Sequence, residues 1–259
     1  MQYGICNLSI VPCRAEASDK SEMVTQLLFG EHFQIIEAQK KWLYIRTAYD
    51  NYDCWIDAKQ CMIISEETYN ELQEMPIYAA ADMIQLITHR EKQEVLPIVM
   101  GSTLPYFDGE NINLQGIEYL YEGQATTPKS NISKNQLIEF ALSYLNTPYL
   151  WGGRSPFGID CSGFTQLVYK LGGIKIPRDA HQQAGIGTTL NFVDEAEPGD
   201  LAFFDNELGQ IIHVGIVMAD GFIIHASGKV RIDRLDHYGI YNKETHQYTH
   251  NLRILKRLI

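Results

Sequence analysis

Between residues 3 and about 123 the apolar residues come in short alternating runs, "LSIV", "HFQIIEA", "WLYIRTA" and "DCWID" among them, each cut off by Gly, Asn or Asp. Runs of four to eight aromatic and β-branched residues bounded by turn formers read as strands. Residues 1–65 are therefore expected to form one small all-β barrel or sandwich. Residues 66–75, "EETYNELQEM", read as a brief helix. "MIQLITH", "VLPIVMG", "TLPYFDG" and "IEYLYEG" then resume the strand pattern, giving a second, irregular β domain over 66–128 with a leading helix. The small, polar, proline-containing stretch "GQATTPKSN" at 123–131 reads as a linker.

Beyond it the period changes. Ser133 followed three residues later by Gln136 is a capping-box signature, and Leu137, Phe140, Ala141 and Tyr144 follow along one helical face. A second helix starts at Cys161, carries Phe164, Leu167, Val168 and Leu171 at helical spacing, and is stopped by Gly172 and Gly173. "LAFFD", "IHVGIVMA" and "GFIIHASG" are strands, the last two a hairpin about Asp220 and Gly221. Helices followed by strands make residues 129–259 an α+β domain.

Composition narrows the functions. The net charge of −11, from 21 basic against 32 acidic residues, repels phosphate backbones and anionic surfaces, so neither nucleic acid nor membrane is expected as a partner. No apolar run approaches the roughly 20 residues of a membrane helix, and "MQYGICNLSIVPCRAE" lacks the basic start and apolar core of a secretion signal. Five cysteines, an odd number in a chain of this size, fit a reducing compartment. The expected location is the cytoplasm and the expected state a monomer. Cys6/Cys13 and Cys54/Cys61 are each seven apart, wider than the usual zinc-knuckle gaps. They are read as buried apolar thiols, with no metal or cofactor.

Cys161 differs in sitting at a helix start, where the macrodipole favours the thiolate by about 0.3–1 kcal/mol. That is modest activation, and a histidine is the commonest general base for such a thiol. His213 and His225 lie on the hairpin. A three-residue loop, Ala219 to Gly221, pairs Met218 with Phe222 and Gly215 with His225, which puts both imidazoles on one face as diagonal neighbours. His213 is then the base and His225 its orienter. Taken singly, a helical cysteine is core packing and a strand histidine a satisfied structural residue. The combination is far less common than its parts.

"DCSG" at 160–163, "HVGI" at 213–216 and "IIHAS" at 223–227 resemble the NlpC family of papain-like cysteine peptidases over about residues 130–259. The closer resemblance, through "YLWGG", "IPRDAHQQ" and "ASGK", is to the γ-D-glutamyl-L-diamino-acid endopeptidases that carry SH3-like domains ahead of the peptidase. It implies two small SH3-like barrels before a papain-like domain, and cleavage of cell-wall peptides by Cys161, His213 and His225 through a thioester. It implies that Asp160 anchors the free amine of an N-terminal L-Ala with Ser162 beside it, although Asp160 is also a good helix N-cap. Tyr149 is assigned to the oxyanion hole with the Cys161 N–H, and Trp151 to the pocket wall, where unaided both read as aromatic core. "FGE" and "DNYDCW" resemble the loops that reach the amine, nominating Glu31 and Tyr52. Ala180 departs from relatives with serine after "RD". Arg178 is a candidate for the D-Glu carboxylate or, equally, a structural ion pair.

The implied reaction is hydrolysis of the bond between γ-D-Glu and a diamino acid in muropeptides with a free L-Ala, in recycling. Two other readings stand beside it: a lytic peptidase on intact peptidoglycan with the β domains as wall anchors, and a non-catalytic peptide-binding module. The intact Cys–His–His set argues against the last.

Overall fold

The computed structural model describes residues 2–126 and 132–259. The chain divides into two compact units, Met1–Pro128 with Trp151–Pro156, and Lys129–Leu150 with Phe157–Ile259.

In the first unit a seven-stranded antiparallel sheet runs, from edge to edge, Met23–Leu28, Ile10–Arg14, Asp53–Asp57, Trp42–Thr47, His32–Gln39, Gln2–Ile5 and Met62–Ile64. Alternation does the work that the sequence promised. Val11 and Cys13, Phe33 and Ile35, and Cys54 and Ile56 each point inward two residues apart, and they pack with Leu27 and Ile45 as one apolar cluster. Cys6, Cys13 and Cys54 belong to that cluster and Cys61 packs against it, so these four thiols are core residues. Helix α1 (Glu66–Glu74) follows, its first turn capped by the Ser65 hydroxyl, which accepts the Thr68 N–H at 3.1 Å. A four-stranded sheet then runs Val95–Val99, Ile84–His89, Ile117–Tyr121, Asn111–Leu114.

Ala125–Thr126, inside the stretch expected to be a linker, pairs instead with Ala79–Ala80. The neighbouring Gln124 carbonyl is engaged as well, accepting the Ala81 N–H at 2.7 Å and the Tyr121 hydroxyl at 2.5 Å. The rest of that stretch, 127–131, lies outside the described residues.

The second unit opens with α2 (Lys134–Ser143), where the Ser133–Gln136 capping box is formed in full. Helix α3 (Cys161–Leu171) is buried along its whole length, and α4 (Ala180–Gln183) follows it. The strands Leu201–Asp205, Ile211–Met218, Phe222–Ser227, Lys229–Leu235, Gly239–Asn242 and Gln247–Arg257 pair in chain order. The last pairs back with the first, closing a six-stranded barrel, and Thr188–Leu190 adds to its outer edge. Ala202, Phe204, Val217, Ile223, Leu235, Ile240 and Leu255 fill the inside.

The other strand face buries Phe203, Val214, Ile216 and Ile224, and α3 packs on Ile211–Met218 and Phe222–Ser227. Phe164, Leu167 and Val168 are fully buried on that helix, each contributing about 1.5–3 kcal/mol. The hairpin turns at Ala219–Gly221, with Met218 opposite Phe222 and Gly215 opposite His225, the register that the three-residue loop requires.

Candidate active site

Cys161 is the first residue of α3 and 7% exposed. Burial, and after it the nearby Asp160 carboxylate, push its thiol up to about 12. The Val214 and Ser162 backbone N–H groups and the Arg178 guanidinium pull the other way. The helix start thus does not make a standing thiolate here, because desolvation outweighs a dipole effect of about 1 kcal/mol. The sulfur nonetheless lies against the amide of Val214, the residue that follows His213 in the chain.

His213 and His225 share the barrel-lining face of adjacent strands, and Gly215, opposite His225, leaves the room. A Cβ at Gly215 would stand 2.9 Å from that of His225. His213 Nε2 lies 2.9 Å from His225 Nδ1, and His225 Nε2 lies 3.0 Å from Asp233 Oδ2. Arg231 in turn donates to both oxygens of Asp233, at 2.6 and 3.0 Å. The result is a chain of imidazole, imidazole, carboxylate and guanidinium. Burial, then the neighbouring His250 and His225, hold His213 well below its ordinary pKa, so its ring is neutral. Burial also lowers His225, against the opposing pull of Asp233. Asp233 stays ionised: its partners His225 and Arg231 outweigh the burial that works against its charge.

Asp160 is the N-cap of α3 and accepts the Gly163 N–H at 2.7 Å. It is also gripped by Arg178, whose Nη1 and Nη2 donate to its two oxygens at 3.0 and 2.6 Å. The same Nη1 donates to Ser162 Oγ at 2.8 Å. Arg178 is 1% exposed, so of the two roles left open for it in the sequence the ion pair is the one it has in the fold. Tyr149 is held by its N–H to the Gly228 carbonyl at 3.0 Å and bridges in parallel to Ile159. Burial, then the proximity of Cys161 and Asp160, raises its hydroxyl to about 12. Cys161, His213, His225, Tyr149, Asp160, Ser162 and Arg178 therefore all stand in the second unit.

Glu31, Tyr52 and Trp151 belong to the first. Glu31 is buried, accepts the Leu28 N–H at 2.9 Å, and takes both Nη groups of Arg154 at 2.9 and 3.0 Å. Arg154 also donates to the Gln26 carbonyl at 2.7 Å. Although burial opposes its charge, Glu31 keeps Arg154 fully protonated. Tyr52 packs its ring on the first apolar cluster and donates its N–H to Thr47 Oγ1 at 2.8 Å. Trp151 is 61% exposed, with its indole N–H donated to Glu22.

Asp233, His250 and Arg154 were not among the residues expected from sequence. Asp233 had a signal: "VRIDRL" alternates, and continuing the pairing from His225 across the turn at Gly228 sets Arg231 opposite it and Asp233 on the diagonal. The other two had none that spacing reveals. No group of His, Cys, Asp and Glu among the described residues has the arrangement of a metal site.

A thiol at a helix start and a carboxylate-backed imidazole on an adjoining strand are the parts of a thiol hydrolase. The comparisons agree with the geometry. Residues 146–250 match the NlpC/P60 family, and residues 13–60 match the bacterial dipeptidyl-peptidase Sh3 domain. Dipeptidyl-peptidase 6 of Lysinibacillus sphaericus is 30% identical over 245 residues, 86% of this chain and 88% of that protein. A gamma-D-glutamyl-L-lysine dipeptidyl-peptidase of Bacillus subtilis is 28% identical, over 78% of this chain and 71% of its own. A Bacillus cereus NlpC/P60 family crystal structure superposes with a TM-score of 0.81 at 20% identity, covering 98% of this chain and 99% of that one. The chain belongs to the NlpC/P60 family. Its fold is the α+β peptidase fold of that family behind an SH3-like β region.

Proposed function

We propose that this chain is a cysteine endopeptidase that hydrolyses the bond between γ-D-Glu and a diamino acid in murein peptides bearing a free N-terminal L-Ala. The observation that supports the reading is the relay from Asp233 through His225 to His213, the residue before Val214, whose amide lies against the thiol at the start of α3. The dipeptidyl-peptidase relatives supply the substrate class.

With thiol and imidazole both neutral at rest, the proton moves as the bond forms. His213, through the nitrogen not used towards His225, takes the Cys161 proton while sulfur attacks the γ-carbonyl carbon. The carbonyl oxygen becomes an oxyanion that the Cys161 N–H and the Tyr149 hydroxyl receive. The resulting imidazolium is stabilised through His225 by the Asp233 carboxylate. It returns the proton to the departing amine, leaving an acyl thioester of L-Ala-γ-D-Glu on Cys161. Water, deprotonated by His213, then attacks the thioester carbon and releases the dipeptide and the thiol.

Asp160, held in its pair with Arg178, and Ser162 are the proposed contacts for the L-Ala ammonium. Arg178 serves by holding Asp160 in place. The substrate is a small muropeptide acted on in recycling, in the cytoplasm, by a monomer. All five cysteines are free thiols, which supports a reducing compartment.

Mass spectrometry of products from L-Ala-γ-D-Glu-diaminopimelate, its lysine counterpart and the N-acetylated form of each tests the reading. Acetylation removes the ammonium from a buried carboxylate and is expected to lower kcat/KM by at least about thirtyfold, the equivalent of about 2 kcal/mol. Equal cleavage of the acetylated peptides, or preferential release from intact peptidoglycan, would favour the lytic reading instead.

A further inference from the structure

The strand Gln247–Arg257 is mostly exposed as it passes the site, with Tyr248, Thr249 and Asn251 outward, yet His250 turns in and lies flat on His213. The two rings stack with centroids 4.1 Å apart and planes 24° from parallel, while His250 meets His225 edge-on at 5.7 Å. Resting on the triad reading above, we propose that His250 is a positioning residue for the base. Its neutral ring fixes the plane of the His213 imidazole, so that one nitrogen stays on His225 and the other faces the thiol.

The backbone is built to bring it there. Leu201–Asp205 pairs with this strand in one register from Leu201 to Phe203 and in another from Phe204, where Arg253 is left over as a bulge. Without that extra residue Phe204 would face Arg253, and His250 would point away from the barrel interior, because a one-residue slip reverses every side chain. A second bulge at Thr249 restores the pairing with Gly239–Asn242 on the other side and sets His250 opposite the fully buried Ile240. Gly239 closes the arrangement: at φ +139° a Cβ there would stand 1.8 Å from the His250 carbonyl oxygen. Two bulges and an obligatory glycine fix the direction of this one residue.

The chemistry rewards the stack only while His250 is uncharged. His213 becomes an imidazolium during turnover, and a neutral ring face beneath it is attractive, whereas a protonated one would repel it. The groups facing His250 are His213, His225 and Asp233, the Thr249 hydroxyl at 2.9 Å from its Nδ1, and the uncharged Phe204 and Ile240. Burial first, and His225 next, keep His250 down at about 4.

The test is a series at one position in the full chain, His250→Ala, His250→Leu and His250→Phe, with the L-Ala-γ-D-Glu-diaminopimelate peptide as substrate. Removing the ring is expected to lower kcat about tenfold, at the upper end for a lost aromatic pair, with KM within about twofold. Water admitted to His213 raises its pKa towards the ordinary value, about 6.5, so the acid limb of the kcat/KM profile moves up. His250→Phe restores the stack and recovers most of kcat, while His250→Leu, which keeps bulk without a ring face, does not.

Equal kcat in the Leu and Phe variants, or an unmoved acid limb in Ala and Leu alike, overturns the proposal. Wild-type chain inert on this peptide, or Cys161→Ala still turning over, sinks the peptidase reading instead. In that event NMR titration of His213 across the same variants still decides whether His250 positions it.

Discussion

Each unit buries one arginine against a carboxylate that the motifs marked for a substrate's ammonium, and the two pairs differ in what stands next to them. Arg154 and Glu31 lie among strand ends and backbone groups, the Leu28 N–H and the Gln26 carbonyl. Arg178 and Asp160 pair at the N-cap of α3, with Asp160 directly before the thiol. There the carboxylate raises the Cys161 pKa and the guanidinium lowers it, so the pair places a carboxylate beside a nucleophile without leaving its charge uncompensated. A bidentate arginine pair is the same chemical object in both places. Its consequence for catalysis depends on the neighbour.

Replacing each arginine by methionine separates these consequences. Either change strands a buried carboxylate and is expected to cost about 3–5 kcal/mol of stability, read by thermal or denaturant unfolding. Below the unfolding transition, Arg178→Met is expected to lower kcat by at least about a hundredfold, because an unpaired Asp160 raises the thiol pKa further and loses its position. Arg154→Met is expected to lower kcat far less. A kcat loss in Arg154→Met as large as that in Arg178→Met would break the comparison. The double change Asp160→Asn with Arg178→Met sharpens it: removing both charges is expected to recover about 1–3 kcal/mol relative to the sum of the single changes.

Acidity distinguishes the units more gently. His213, His225 and His250 are all held neutral in the folded second unit, below their unfolded values. The unfolded chain therefore takes up more protons once pH drops below about 6.5. The stability these rings leave to the fold is complete above that pH and is lost as pH falls through it towards the folded values. His250, with a folded value of about 4 and part of its surface in water, accounts for roughly 2 kcal/mol of this by pH 4. Denaturant titrations at pH 7, 5.5 and 4 should show the second unit weakening in that order, and an unchanged midpoint would contradict the buried neutral cluster.

A local effect is expected at two glycines. At Gly152 in the first unit a Cβ would meet the Met23 carbonyl oxygen at 2.2 Å, and at Gly239 the His250 carbonyl oxygen at 1.8 Å. Substitution by alanine at either costs about 1–3 kcal/mol. Only Gly239→Ala should also lower kcat, since only it moves His250.

What the sequence made legible was local. The Ser133–Gln136 box, the extent of α3 and the hairpin register at Gly215 and His225 are set by residues within a few positions of one another. These sufficed to put two imidazoles on one face. The thiol's state was not legible, because it depends on how completely the rest of the unit removes water from Cys161, and burial outweighs the helix start. Asp160 and Glu31 were visible as carboxylates, but their arginines come from 18 and 123 residues away, and no spacing rule connects them. His250 was hidden for a different reason. Its direction depends on the bulges at Arg253 and Thr249, which arise from pairing with strands on both sides.

The central claim is that one of five thiols carries the acyl group. Acid-quenching the enzyme during turnover of L-Ala-γ-D-Glu-diaminopimelate, followed by peptide mass spectrometry, should find the L-Ala-γ-D-Glu acyl on the peptide containing Cys161, with Cys6, Cys13, Cys54 and Cys61 unmodified. Turnover that continues in Cys161→Ala, with no acyl adduct at that position in the wild type, would contradict the account.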